Sequence, residues 1–558
     1  MPTADLQRIF LTGATGFLGH YVLAELCRRT AATMTIMLSP PLEHSRRRLE
    51  ALLSDLDVAL DPLVEQGRIR LTEGRLPDAF DAGGLEGADL VIHAAASTAF
   101  NPAADGDPMR TNVDGTAALL DGARAAGVGA CLLVSTAYVC GDRRGRNAET
   151  LDPAPLRFCN AYERSKWLAE RLAVEAYGER ATVCRPSILF GDRQRGRTTH
   201  FGGVYLVARA TELLARVAAQ DETLDRHAIP LRILGSADAT CNLVPVDLAA
   251  ARIVEIAQDR SLHGRVHHLT NPHPPTHAEI KQWLEAYHDV GGGRFCEGSW
   301  PLPDANRLEE AFYSLGGIVG DYFRNGVEFE SSWDRGNGPR RLVDRGLFLR
   351  SLDYMRSSRS IRGRMKRRHT SASARSSSAR LPSARPSSRD QRAAGFSPRG
   401  VPAQPRSSSP AGPEARESGA HHPRIAEGAI DPCSYFERFL PQRVPVSSVA
   451  KVHALTTVAR FRIVKDGGMR GERQQEWACR FDAGQLAEVR KGPNGLAESF
   501  GFSVALEAFT AVVTGAVTLQ HAFFRGDVDI FGGIEQALRM VPIMSAFIRE
   551  HPADVGTA

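Results

Sequence analysis

Residues 11–19 read LTGATGFLG, and no other stretch restricts the fold of this chain so tightly. An apolar run (Ile9, Phe10, Leu11) precedes it and a helical pattern from His20 to Arg29 follows. The order is strand, glycine turn, helix. Gly13 permits the tight turn, Gly16 lets a pyrophosphate approach the backbone, and Gly19 lets the helix pack against the sheet. Thr12, Thr15, Phe17 and Leu18 fall around the same turn, at a helix N-terminus that favours phosphate charge. A glycine triplet can equally be a structural turn. The binding reading gains weight from Tyr162 and Lys166, a YxxxK pair with Ser135-Thr136 upstream.

Residues 1–270 alternate apolar strand-like runs (8–12, 33–38, 68–72, 89–94, 130–135, 181–185, 266–269) with helical patterns, notably 17–29, 109–126 and 160–177. This predicts an α/β fold with a Rossmann-like, doubly wound parallel sheet. Residues 190–350 are less regular, with helical pieces at 204–219, 247–257 and 277–288, as in a region covering a substrate. The first domain is therefore drawn as 1–356.

Residues 357–430 differ in composition. Segment 356–424 holds sixteen Lys and Arg against three Asp and Glu. The formal charge of +5 for all 558 residues therefore comes from this segment, and the rest is acidic on balance. No nucleic-acid-binding fold is indicated. The Ser/Arg/Pro/Ala bias predicts a disordered basic linker. A solvated tether is the favoured reading. Peripheral contact with anionic membrane lipid, or an out-of-frame reading of a GC-rich gene, are the alternatives. Residues 431–558 regain globular character. Strands are expected within Ser447–Ile463 and at 474–481 and 527–531, and a helix over 497–513. A final amphipathic helix carries Ala537, Leu538, Val541, Met544 and Phe547 on one face.

The nine cysteines form no CxxC pair, which reads as buried thiols in a reducing, cytoplasmic setting. The pairs His267-His268 and His421-His422 lack carboxylate or cysteine company, so no metal is expected. His93 is expected to support the fold rather than catalysis. No run of about twenty apolar residues free of charge occurs, and no signal peptide fits.

Tyr162 and Lys166 lie one helical turn apart and share a face. A lysine cation nearby favours the phenolate and eases proton transfer. Thr136, at the end of a strand, is placed to hydrogen-bond a carbonyl oxygen. Asn112 is placed to support Lys166.

The ordered set TGATGFLG, VIHAAASTAFN, NVDGTAALLDGAR, VSTAYVCG, NAYERSKWLAERL, RPSILFGD and NLVPVDLAAARIV resembles the extended short-chain dehydrogenase/reductases. Within them it is most similar to the fatty acyl-CoA reductase and thioester reductase branch, over residues 6–350. That resemblance implies reduction of a fatty acyl thioester, on CoA or a carrier protein, to an aldehyde or alcohol with NADPH (NADH possible). It implies Thr136, Tyr162, Lys166 and Asn112 as the catalytic set, with Ala94, Ala95, Pro186 and Ser187 completing the cofactor site. The arginine usual after the second strand is absent. Arg46 or Arg48 could replace it, and no acidic residue ends that strand. The alternatives are a 3β-hydroxysteroid dehydrogenase, a nucleotide-sugar epimerase or dehydratase, and a lipid-transfer protein with a cofactor-sensing domain. Residues 431–558 resemble the sterol carrier protein type-two fold through FRIVKDGG, AFFRGDVDIFGG and the last helix. This implies a small α/β lipid-binding domain.

Overall fold

Seven strand-like runs become one sheet; six are largely buried, and the edge run Ile69–Glu73 buries only Ile69. In this computed structural model the described residues are 7–316, except 79, 81, 101, 103–105, 152, 153 and 156. Further on they are 326–333, 341–357 and 429–554, except 450–455, 465–473, 493–499, 525 and 526. The runs form β1 (Arg8–Thr12), β2 (Thr33–Leu38), β3 (Ile69–Glu73), β4 (Leu90–His93), β5 (Ala130–Val134), β7 (Ala181–Pro186) and β11 (Val266–Leu269). β6 (Gly145–Asn147) lies apart from the sheet. The sheet order is β11-β7-β5-β4-β1-β2-β3, and the pairs are parallel.

Alternate residues point to opposite faces of a strand. Ile9, Leu11, Ile92 and Leu132 pack under α1 (Phe17–Arg29), α2 (Leu42–Ser54), α3 (Leu60–Glu65) and α7 (Val246–Gln258). Phe10, Val91 and Leu133 pack under α4 (Gly115–Ala125) and α5 (Ala161–Tyr177). The chain leaves β1 in one direction for β2 and in the other for β4. The crevice for a ligand opens at that reversal, beyond the carboxyl ends of the strands.

The covering region holds three short strand pairs: β6 with β13 (Val327–Phe329), β8 (Ile188–Phe190) with β10 (Leu243–Pro245), and β9 (Arg232–Leu234) with β12 (Arg294–Cys296). Around them pack α6 (Val204–Gln220), α8 (His277–His288), α9 (Arg307–Gly316) and α10, a helix over 345–357. The ring of Phe190 lies 5.1 Å from that of Tyr205 and 5.5 Å from that of Phe348, both near parallel, which fixes α6 and α10 to β8.

The C-terminal unit begins by Ile430, which is 1% exposed within its core. It holds β14 (Thr457–Val464), β15 (Gln474–Asp482), β16 (Gln485–Lys491), β17 (Phe500–Ala505) and β18 (Val528–Gly532). The sheet order is β16-β15-β14-β17-β18, antiparallel except for the parallel pair β14–β17. α11 (Leu506–Val513), α12 (Leu519–Phe524), α13 (Ile534–Glu550) and a helical run over 432–446 complete it. The expected helix over 497–513 is corrected by β17. Phe500, Phe502 and Val504 alternate inward, and the helix starts only at Leu506. The strands expected from Ser447 begin at Thr457. Of the basic segment, residues 358–428 lie outside the described residues, as does the His421-His422 pair.

This unit is docked on the covering region. α13 packs along α9, and Leu213, Leu214, Val217 and Leu308 join one apolar cluster with Phe523 and Leu538. The Arg216 guanidinium donates to the Ile530 carbonyl at 3.2 Å. Buried Arg209 lies 4.9 Å above the Phe523 ring and 3.7 Å from Asp529. Among the described residues no helix is long and apolar enough to cross a membrane.

Candidate active site

The glycine turn is built for backbone contact. Gly13 has φ +78°, and a Cβ there would lie 2.5 Å from the Ala95 nitrogen and 2.6 Å from the Ala94 carbonyl carbon. At Gly19 a Cβ would lie 2.0 Å from the Gly13 oxygen. Gly16 is the N-cap of α1, and its nitrogen donates to the Gly13 oxygen at 2.9 Å. The turn and Ala94-Ala95 are thus pressed together at the reversal of strand order. The following helix N-terminus offers unpaired N–H groups to an anion. A side-chain-free cradle of this shape fits the diphosphate of a nicotinamide dinucleotide.

Two of the expected contact residues have partners within the protein. The Thr12 side chain is fully buried, and its hydroxyl lies 2.7 Å from His93 Nδ1. It ties the end of β1 to the end of β4. Arg46 pairs with Asp61 of α3 at 2.8 Å. Arg48 stays exposed in the middle of α2, close enough to help lower the pKa of His20, although burial is the larger cause. No acidic residue ends β2, but one reaches the turn after it from the neighbouring strand. Glu73, from the end of β3, accepts the Leu42 N–H at 2.6 Å and caps α2 there. Arg75 reaches the Pro40 carbonyl at 3.5 Å. The β2–α2 turn therefore carries both signs of charge.

His93 sits in a chain of hydrogen bonds whose direction is forced. The Ala95 N–H donates to Thr12 Oγ1 (3.2 Å), and the Thr116 hydroxyl donates to the Asn112 carbonyl (2.6 Å). With its only proton given away, Thr116 Oγ1 must accept from His93 Nε2–H at 3.0 Å, and in the neutral ring Nδ1 then accepts from the Thr12 hydroxyl. This is the neutral imidazole. Burial, then the Lys166 charge, push its pKa down to about 3. The fold-supporting role expected for His93 agrees with this chain.

Asn112 stands in a five-residue π-helical turn (Arg110–Asp114) that leads into α4. Its amide accepts from the Ser97 N–H at 2.8 Å. It donates at 2.8 Å to the Ser97 carbonyl and to Ser165 Oγ. Ser165 in turn donates to the Tyr162 carbonyl at 2.7 Å. Asn112 thus fixes the first turn of α5, one step removed from Lys166. Ser165 was not singled out from the sequence. Its only signal there is its place between the tyrosine and the lysine.

Asn160 caps α5 by accepting from the Glu163 N–H at 2.9 Å, while the Glu163 carboxylate accepts from the Cys159 N–H at 2.8 Å. The cap sets Tyr162 in the first turn of α5, its ring centroid 6.4 Å from that of Phe100. Burial and then Glu163 push the tyrosine pKa up, so the phenol keeps its proton. A protonated phenol is the form expected to donate to a carbonyl oxygen. Lys166 is 1% exposed, and burial lowers its pKa to about 8 against an opposing pull from Glu170. Glu170 is itself held by Arg185 in a buried two-point pair (2.9 and 2.7 Å).

Thr136 N-caps the short turn Ala137–Cys140, accepting weakly from the Tyr138 N–H at 3.3 Å, which leaves its hydroxyl proton to donate elsewhere. Neighbouring Ser135 Oγ is buried without a hydrogen-bond partner. Ser187 Oγ donates to Asn242 Oδ1 at 2.6 Å, tying the end of β7 to the covering region. Pro186 is the last residue of β7.

Residues 11–253 match the family model described as Male sterility protein, an NAD-binding family. The glycine betaine reductase ATRR of Emericella nidulans is 27% identical over 292 residues, which are 48% of this chain and 21% of that protein. A 4-hydroxy-2-methyl-3-oxo-4-farnesyl-3,4-dihydroquinoline-1-oxide ketoreductase of Stigmatella aurantiaca is 31% identical over 190 residues, 33% of this chain and 51% of the relative. The chain thus spans about half or less of these relatives' lengths. Among solved structures, the terminal R domain of the myxalamid PKS-NRPS pathway superposes with TM-score 0.51 and 25% identity, covering 65% of this chain and 92% of that one. A thiolation-reductase di-domain of an archaeal non-ribosomal peptide synthetase shares the fold, with TM-score 0.50 and 22% identity, over 63% of this chain and 76% of that one. Residues 11–253 are therefore similar to the NAD-binding Male sterility protein family, and the N-terminal part of this chain shares the Rossmann-like fold of the R domains.

Proposed function

We propose that this chain reduces a fatty acyl thioester, carried on CoA or a carrier protein, to an aldehyde or alcohol with NADPH. The observation that carries the reading is Tyr162 one turn from buried Lys166, on the helix that Asn112 anchors. The R-domain likeness at 25% identity over 92% of that chain supports it. Bound NADPH would supply the hydride.

In this reading the Thr136 hydroxyl and the Tyr162 phenol donate to the thioester carbonyl oxygen. Tyr162 gives up its proton as hydride adds to the carbonyl carbon. The Lys166 ammonium stabilises the phenolate left behind and holds the nicotinamide ribose. Collapse of the hemithioacetal breaks the C–S bond and releases a free thiol and an aldehyde. One NADPH and one proton are consumed per thioester taken to the aldehyde, and a second of each where the aldehyde goes on to the alcohol. The test is thiol release from acyl-CoA with NADPH. NADPH-dependent thiol release matched to NADPH oxidation supports the reading, and oxidation of an alcohol without thiol release overturns it.

A second reading, reduction of a ketone by the same residues, is favoured by the ketoreductase relative at 31% identity. It predicts NADPH oxidation with no thiol released. For the C-terminal unit the supporting observation is a cavity walled by apolar side chains, among them Phe461, Phe502, Val512, Met544 and Phe547. With its open mouth it encloses about 910 Å³. We take this unit as a lipid-binding domain. Binding of a fluorescent fatty acid, lost on Met544→Trp, tests it.

A further inference from the structure

A second cavity lies in the covering region, away from the glycine cradle. Val207, Thr211 and Leu214 of α6 form one wall, and Ile280 and Leu284 of α8 another. Leu231, Ile233 and Phe295 close the floor, and Phe312 of α9 closes the side toward the docked C-terminal unit.

Three features say what it can hold. First, it is kept open by missing side chains. Gly291 and Gly293 line it. Gly292 between them has φ +104°, and a Cβ there would lie 2.4 Å from the Ile229 nitrogen. The glycines press this loop onto the 228–229 backbone and leave the space beside it empty. Second, its polar side chains already bond within the protein. Lys281 pairs with Glu285 at 2.8 Å, Thr211 donates to the Val207 carbonyl at 2.9 Å, and His277 Nδ1 meets the Ser236 carbonyl at 3.1 Å. No net charge faces the space, so an uncharged occupant fits best. Third, its His277 end is tied to the residue that follows β7. The His277 nitrogen donates to the Ala239 carbonyl (2.8 Å) and the Cys241 nitrogen to the Pro275 carbonyl (2.9 Å). Asn242 at the end of that segment accepts from Ser187, directly after β7.

We propose that this cavity takes the distal, uncharged part of an unbranched aliphatic chain, and that in the substrate this is the far end of the acyl group whose thioester lies at Tyr162. The second half of the statement rests on the thioester reading above. The cavity would make the enzyme selective for chain length from a site separate from the chemistry.

The binding test uses the NADP+-loaded protein and decan-1-ol as probe, with Met544→Trp in place to block the C-terminal cavity. Decan-1-ol should bind this protein, and adding Gly293→Phe should weaken binding at least tenfold. Thr211→Phe, from the opposite wall, should act the same way and covers the case in which the first variant fails to fold. No binding before either substitution, or equal affinity after both, overturns the proposal. The kinetic test compares decanoyl-CoA with acetyl-CoA. Either variant should raise KM at least tenfold for decanoyl-CoA and less than twofold for acetyl-CoA, and an equal change for both overturns chain-length selection. If the unsubstituted protein reduces neither thioester, the thioester reading fails, while decan-1-ol still decides whether the cavity holds a chain.

Discussion

The cradle at Gly13–Gly19 and the cavity of the C-terminal unit are both binding-sized spaces, made by opposite means. The cradle is made of backbone. Its shape depends on Cβ atoms being absent, and it is fixed by a one-way chain of hydrogen bonds through Thr12, His93 and Thr116. The C-terminal cavity is made of side chains, chiefly aromatic rings and the flexible Met540 and Met544. A space defined by backbone cannot yield when one atom is added. A space defined by methionine and phenylalanine can repack around a substitution of similar volume. The first recognises one shape, whereas the second accepts a class of shapes.

Four measurements would break or sharpen this contrast. The largest effect is expected at the chemistry beside the cradle. Tyr162→Phe should lower turnover at least about a hundredfold with cofactor binding kept, the scale of lost general acid catalysis. Near-normal turnover would remove Tyr162 from the mechanism.

Next is Gly19→Ala, which adds one methyl group where the Gly13 oxygen would be 2.0 Å away. Overpacking of this kind costs about 1–3 kcal/mol. NADPH affinity measured by calorimetry should fall roughly tenfold to a hundredfold, as that energy converts. Unchanged affinity would mean that the loop relaxes and is no rigid cradle.

A third effect runs in the other direction. The folded pKa of Lys166 is lowered to about 8 from an ordinary 10.5, so the ammonium form opposes folding. That cost is fully present below about pH 8 and disappears as pH rises through 10.5. Lys166→Met should therefore stabilise the cofactor-free protein at pH 7, by about 1–3 kcal/mol, while abolishing turnover. The gain should shrink by pH 10. A variant less stable than the parent at pH 7, measured by denaturant unfolding, would contradict the assignment.

The smallest effect belongs to the side-chain cavity. Met544→Leu conserves volume and should change stability by less than about 1.5 kcal/mol. A larger loss would show that this cavity is as rigid as the cradle, and the contrast would fail.

Six of the seven strands of the large sheet were readable as short apolar runs, largely buried, and the edge strand β3 from its place in the alternation of strand and helix patterns. Their observed bounds differ from the expected ones by a residue at most, as at 68–72 against Ile69–Glu73. The three-residue strands β8, β9, β10, β12 and β13 were not readable, because a pairing that short leaves no periodicity. At 497–513 the failure has a specific cause. A strand apolar at alternate positions runs through Ala505 directly into an apolar helix, and the combined run imitates one helix. Around the cofactor site the sequence supplied the residue types but not the partners. Nothing local tells that Asp61 takes Arg46, or that Glu73 crosses to the Leu42 nitrogen. Both contacts depend on how β2, β3 and α2 meet.

The docking of α13 on α9 also governs how the chain tolerates change between its two ends. A joint secured by Arg209, Arg216 and an apolar seam takes its geometry from the surfaces that meet. It does not take it from the 71 residues separating Ser357 from Ala429. Twofold lengthening of a connecting loop costs only about 0.6 kcal/mol in closure entropy. Lengthening this interval in the present chain should therefore leave α6 and α9 with the same neighbour.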